Sequence, residues 1–151
     1  MNAMIREGRK IPADATEKIP EMVDLLHADT DVIVLYAFGG LAKGQLKPLS
    51  DLDIAVMVSK TLTNKERFEK HLQLLSSLNQ LFGTDEIDLV LLNDAPLRFA
   101  HSILRDGKLL FCRGLKVLVD FAENVRTSYL DFRYYRDRFD EEFLKGIGYH
   151  G

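Results

Sequence analysis

Phe38–Val58 reads F-G-G-L-A-K-G-Q-L-K-P-L-S-D-L-D-I-A-V-M-V. The apolar, β-branched and aromatic run Val32 to Phe38 leads into the glycine pair Gly39-Gly40. Such a run reads as a buried strand. About ten residues on, Asp51-Leu52-Asp53 opens a second apolar run that ends at Val58. A third run, Ile87 to Leu92, contains Asp88. Residues i and i+2 of a strand point to one face, so Asp51 and Asp53 project together.

Neighbouring carboxylates repel. At 4 Å the cost is about 4 kcal/mol at an effective dielectric near 20. The pair persists where a cation or a proton is shared, or where water screens it. Hard oxygen ligands suit Mg²⁺, which binds through carboxylates and substrate phosphates. Asp88, on a strand that can lie beside the second one, completes a set of three acids able to hold two metal ions. Asp85 and Glu86 compete for that role. Asp88 is preferred because it lies inside the apolar run, where an ionised group needs a partner. Alone, Asp-x-Asp is also a common strand end. Gly39-Gly40 directly after a strand permits a sharp turn and close approach to a ligand. Backbone N–H groups at such a turn form an anion site, above all where a helical turn follows. Lys43 and Lys47 add positive charge nearby. A plain tight turn has the same glycines, so the ordered combination carries the reading.

The flanking sequence gives the rest of the architecture. Residues 1–14 are expected to be weakly ordered, residues 15–145 to form one domain, and residues 146–151 to be a tail. A helix is predicted from near Ala15, with Ile19, Met22, Val23 and Leu26 on its buried face. Gly39 to Ser50 is predicted as a loop with a short helical turn after Gly40, and Asp51 to Val58 as a strand. Thr63-Asn64-Lys65-Glu66 forms a capping box. It starts a helix whose apolar face is predicted as Phe68, Leu72, Leu75, Leu78 and Leu81 or Phe82. Gly83 suits the position just past its end. A strand Glu86 to Leu92 follows, then a helix start at Asn93 to Pro96. That helix ends at Asp106-Gly107, and Lys108 to Cys112 forms a short edge strand. A long helix runs from Leu115 to Phe143, its apolar repeat made by Leu115, Leu118, Ala122, Val125, Tyr129, Phe132 and Phe139. The class is α/β (α+β): about four strands in one sheet, flanked by helices.

Composition narrows the function classes. The 151 residues are 46% hydrophobic and 28% charged, ordinary for one soluble domain. The net charge of −3 supplies no global field to recruit nucleic acid. The uncharged run Val32 to Ala42 is well short of the roughly 20 residues that cross a bilayer. Arg6, Glu7, Arg9 and Lys10 precede no apolar segment of signal-peptide type. A single cysteine, Cys112, in an apolar context reads as a small core residue. A cytoplasmic location is the expectation. His27, His71, His101 and His150 lack the spacing of a zinc site.

The ordered combination resembles the minimal nucleotidyltransferase (MNT) family of the DNA polymerase β-like nucleotidyltransferase superfamily. That family's motif is G-S-x-A-R-G…S-D-I-D. Here Gly39-Gly40-Leu41-Ala42-Lys43-Gly44…Ser50-Asp51-Leu52-Asp53 matches without a gap, and Asp88 in Ile-Asp-Leu-Val matches the family's third acid. The resemblance covers roughly residues 15 to 112 and implies a nucleotidyltransferase-like mixed sheet. It implies Asp51, Asp53 and Asp88 as catalytic, metal-binding residues of a two-metal Mg²⁺ site. It implies Gly39, Gly40, Lys43 and Ser50 as nucleotide-binding residues, with ATP as substrate. Small members often serve as antitoxins of HEPN/MNT toxin–antitoxin pairs, which implies AMP transfer to a tyrosine of a HEPN-domain toxin. Two departures stand out. Gly40 replaces a serine, losing one hydrogen bond worth about 1 kcal/mol net. Lys43 replaces an arginine, losing a bidentate fork. A fold that neutralises the toxin by binding alone, and a small-molecule nucleotidyltransferase, are the alternative functions.

The second half of the last helix interleaves Tyr129, Phe132, Tyr134, Tyr135, Phe139 and Phe143 with Arg126, Arg133, Arg136 and Arg138. Tyrosine and arginine are enriched at interfaces. One face can pack on the core while another docks a partner helix or a second copy of the chain.

Overall fold

The computed structural model describes residues 16–43 and 52–146. Ser50 and Asp51 lie outside the described residues, as do segment 1–14 and the tail beyond Gly146. The elements run in the order α1 (Ile19–His27), β1 (Val32–Ala37), α2 (Gly39–Lys43), β2 (Leu52–Val58), α3 (Asn64–Phe82), β3 (Ile87–Leu91), α4 (Leu97–Asp106), β4 (Lys108–Cys112) and α5 (Leu115–Gly146). Short 3₁₀ turns at Thr16–Lys18 and Leu92–Asp94 precede α1 and α4.

The strands form one mixed sheet in the order β3-β2-β1-β4. β1 pairs antiparallel with β2 and β4, and β2 pairs parallel with β3. Strands β1 and β2 are central and covered on both faces, which is why both read as nearly continuous apolar runs. Leu52, Ile54, Val56 and Val58 face a cluster with Met22, Leu26, Leu74, Leu78 and Phe82 of α1 and α3. Val34, Tyr36, Ala55 and Met57 face a second cluster with Ala100, Ile103, Leu118 and Val125 of α4 and α5.

Caps fix the connections. Thr63 and Glu66 form the expected capping box on α3. Gly83 ends that helix in the left-handed region, at φ +67°. Asn93, in the 3₁₀ turn after β3, ties that turn to the end of β2. Its side chain accepts from Val58 N–H and donates to Val58 C=O, both at 2.9 Å. Pro96 occupies the N-cap position of α4 without a side-chain cap bond, so the helix starts directly after the expected segment.

The C-terminal part of α3 buries the expected face: Leu78 and Phe82 are buried, with Leu75 and Leu81 packed against the same cluster. Leu74 is buried as well, whereas Phe68 and Leu72, expected on that face, are 62% and 53% exposed. Lys70 turns toward α1 and bonds Asp29. His71 turns toward β3, its Nε2 lying 2.8 Å from Leu89 O. Phe68 and Leu72 therefore fall on the flank toward the outer edge of β3, the edge of the sheet among the described residues. On α5, Leu118 and Val125 are buried while Leu115 and Phe132 are 68% and 40% exposed. Tyr129 stacks on His101 with ring centroids 3.9 Å apart. Among the described residues no helix is long and apolar enough to cross a membrane.

Candidate active site

The two described acids of the motif are brought together by strand register. Asp53 is the second residue of β2 and Asp88 the second of β3, and the parallel pairing sets them opposite each other. Both project to the sheet face that Ala55 and Val90 share with α4 and α5. Asp85 and Glu86 precede β3 and have no such pairing. Glu86 instead anchors the strand starts, its carbonyl accepting from Leu52 N–H at 3.0 Å.

Asp88 was expected to need a partner because it lies in an apolar run. It is exposed instead. β3 is an edge strand, so the residue opens to solvent on this face while Leu89 and Leu91 face the core. Its register with Asp53, rather than burial, marks it out.

The glycine turn closes on the other side of Asp53. Phe38 N–H donates to Asp53 C=O at 3.0 Å, extending the β1–β2 pairing by one residue. Gly39 then adopts φ +59°. A Cβ placed there would lie 2.2 Å from Asp53 Oδ2. Glycine is thus required twice over, for its backbone angle and for the carboxylate resting against its Cα. The helical turn expected after Gly40 begins at Gly39 itself, as α2. Ala42 N–H reaches Phe38 O at 3.4 Å, while the first-turn amides have no acceptor within the helix. Leu41 is buried in the α1/α3 cluster and holds the turn to the core. Lys43 is the last residue of α2.

Like charges directly opposite on adjacent strands are destabilising. A shared cation relieves that repulsion, and two carboxylates form a hard-oxygen donor set that fits Mg²⁺. In the described part of the site, the α2 turn thus stands directly beside the paired acids Asp53 and Asp88. Among the described residues, no group of three or more histidine, cysteine or acidic side chains gathers for a metal, Asp51 lying outside them.

Sequence reasoning missed Phe99. This α4 residue meets Phe38 edge to face, with centroids 5.6 Å apart, beside the glycine turn. No local pattern announces a contact between residues so far apart in the chain.

The family model described as Polymerase beta, Nucleotidyltransferase matches residues 20–115. The chain belongs to this family. It is 33% identical over 78 residues to the protein adenylyltransferase MntA of Shewanella oneidensis, covering 52% of each chain. It is 29% identical over 112 residues to the protein adenylyltransferase MntA of Aphanizomenon flos-aquae, covering 63% of this chain and 71% of that one. The match thus spans about half the length of the Shewanella relative. Among solved structures, a toxin–antitoxin crystallised with AMP-PNP superposes with a TM-score of 0.60 at 25% identity, over 86% of this chain and 98% of that one. A complex of tri-AMPylated Shewanella oneidensis HEPN toxin with MNT antitoxin gives 0.54 at 24% identity, over 85% and 95% of the two chains, a likeness of fold. The mixed sheet implied by the motif and the long last helix expected from its apolar repeat are both present, and the fold matches that of the neighbour crystallised with AMP-PNP.

Proposed function

We propose that the chain transfers AMP from ATP to a tyrosine hydroxyl of a HEPN-type toxin, acting as its antitoxin in the cytoplasm. The observation that carries this reading is the arrangement around Asp53, whose carboxylate rests against Gly39 while its residue pairs with Asp88. The names of the relatives, protein adenylyltransferase MntA, support the choice of AMP and of a protein acceptor.

In this reading Asp53 and Asp88, together with Asp51, hold Mg²⁺. Mg²⁺ bound there supplies positive charge against the transferring phosphoryl group and the departing pyrophosphate. The amides of Gly39 and Gly40, with Lys43 and Ser50, hold the triphosphate. Asp88 faces the acceptor and takes the hydroxyl proton. The tyrosine oxygen bonds to the α-phosphorus, the bond from that phosphorus to the β-bridging oxygen breaks, and pyrophosphate leaves with the electron pair. The tyrosine is left as its AMP phosphodiester. Residues 15–145 act as one domain in this scheme.

A second reading rests on Gly40. Without a hydroxyl at that position the phosphate grip is weaker, and the chain neutralises its toxin by contact alone.

One experiment separates the two. The chain is incubated with Mg²⁺, ATP labelled at the α-phosphate and a HEPN-type toxin. Label on the toxin that disappears with Asp53→Asn or Asp88→Asn supports transfer. No label, with toxin still neutralised by both variants, favours contact alone and defeats the enzymatic reading.

A further inference from the structure

A groove of about 550 Å³ opens over the outer edge of β3. Its floor includes Val90 and Leu91, one wall carries Phe68 and His71 of α3, and the other carries Pro96 and Phe99 of α4. That volume lies within the ~300–1,000 Å³ typical of ligand pockets. Val90 follows Asp88 by two residues, so both side chains share a face of the sheet, about 7 Å apart along the strand. Phe99 contacts Phe38, the residue before Gly39. One wall of the groove therefore runs continuously to the glycine turn.

The approach to the site is one-sided. Asp53 is closed off toward β1 by Gly39. Asp88 stands on the opposite side, on an edge strand, and is exposed. A nucleotide held over the glycine turn leaves an acceptor hydroxyl to arrive from beyond Asp88, across the groove. The groove also states what kind of acceptor fits. Four lining residues are polar, Asn64, Arg67, His71 and Asp94, and they are already engaged: Arg67 donates to Asp94 through two bonds of 2.9 Å and to Asn64 Oδ1, and His71 Nε2 lies 2.8 Å from Leu89 O. The rim is aromatic, with Phe68 62% and Phe99 37% exposed. Amino sugars and other polyhydroxylated acceptors find few polar partners on such a rim, whereas apolar side chains bury well there.

We infer that this groove seats the protein segment bearing the acceptor tyrosine, with an apolar residue next to that tyrosine filling the space between Phe68 and Phe99. The inference rests on the nucleotidyl transfer proposed above. It assigns acceptor selection to α3 and α4, elements outside the phosphate and metal motif.

Two peptides test it, each with a single tyrosine, flanked by leucine and valine in one and by aspartates in the other. Labelled ATP, Mg²⁺ and the full chain are supplied in each case. The expected result is a KM for the apolar peptide at least about ten-fold below that for the acidic one, a difference of ~1.4 kcal/mol. Phe68→Glu raises the KM for the apolar peptide at least about ten-fold, and Phe68→Leu keeps it within about three-fold of wild type. Equal KM values for the two peptides with the wild-type chain overturn the inference, whether or not the variants fold. So does an unchanged preference in folded Phe68→Glu, or a chain that labels a nucleoside or amino sugar but neither peptide. A chain that labels no acceptor of any class defeats the proposed transfer itself, and the groove assignment with it.

Discussion

Asp53 presses its carboxylate onto the Cα of Gly39, leaving 2.2 Å between Oδ2 and the place a Cβ would occupy. The contact ties the strand that presents the acid to the turn that presents backbone amides, so a change at Gly39 reaches both.

Gly39→Ala therefore costs more in activity than in stability. The left-handed φ costs an L-residue about 1–2 kcal/mol, and the methyl group pushes the Asp53 carboxylate aside. The expected outcome is a folded chain with its urea midpoint lowered accordingly and AMP transfer reduced at least about a hundred-fold. Urea unfolding and label transfer on one preparation check it. Activity falling only in proportion to the folded fraction would contradict the contact's proposed role.

Asp53→Asn and Asp88→Asn are expected to act on ligand binding more than on the stability of the free chain. Each removes one of two acids at paired positions of β2 and β3. Asp88 is exposed and screened by water, so without metal Asp88→Asn is expected to match wild type to within about 0.5 kcal/mol. Wild type gains stability from Mg²⁺ and ATP by mass action, while the variants gain little. Thermal melts with and without Mg²⁺-ATP measure both effects. A variant that matches wild type in both melts would remove Asp53 and Asp88 from the metal site.

Gly40 lies in the first turn of α2, where the family motif has serine. Gly40→Ser restores one hydrogen bond to phosphate, worth about 1 kcal/mol, or roughly five-fold in nucleotide affinity. The expected outcome is a lower KM for ATP with label still on the same acceptor. An unchanged or raised KM would mean that the turn holds phosphate without help from this position.

How much of this was legible in the sequence depends on the range of the interaction. The glycine pair, the spacing to Asp53 and the capping box of Thr63 and Glu66 are local, and each was readable from neighbours in the chain. The strand that carries Asp88 was readable as well, but its register with Asp53 was not, since pairing is decided by the whole sheet. The reason given for Asp88 was therefore mistaken: an apolar run implied burial, and an edge strand left the residue exposed. The same limit affected the first turns of α3: Leu78 and Phe82 are covered as expected, but Phe68 and Leu72 are not. Periodicity shows that a helix has an apolar stripe, but the sheet beneath decides which apolar residues are covered. Phe68 and Leu72 belong to the stripe and fall toward the outer edge of β3.

Lys70 gives a test that is independent of catalysis. Its ammonium bonds Asp29 at 2.8 Å and reaches Asp31 at 3.1 Å, joining α3 to the turn between α1 and β1. The lysine side chain is only 14% exposed. The Asp29 hydrogen bond raises its pKa above the ordinary value of 10.5; desolvation opposes this to a smaller extent, and the bond to Asp31 adds to the rise. A raised folded-state pKa means that the charged form is favoured by folding, so the contribution is complete below the unfolded-state value and disappears as pH rises through the folded one. Lys70→Met removes the cation and leaves two carboxylates facing each other. Asp31 is 40% exposed and screened by water, so the expected cost is about 1–2 kcal/mol at neutral pH. Urea unfolding of wild type and variant across the neutral to alkaline range should show a constant gap up to about pH 10 that narrows above it. A gap that narrows instead between pH 7 and 9, or is absent throughout, would show that Lys70 does not hold α3 to the turn as a charged group.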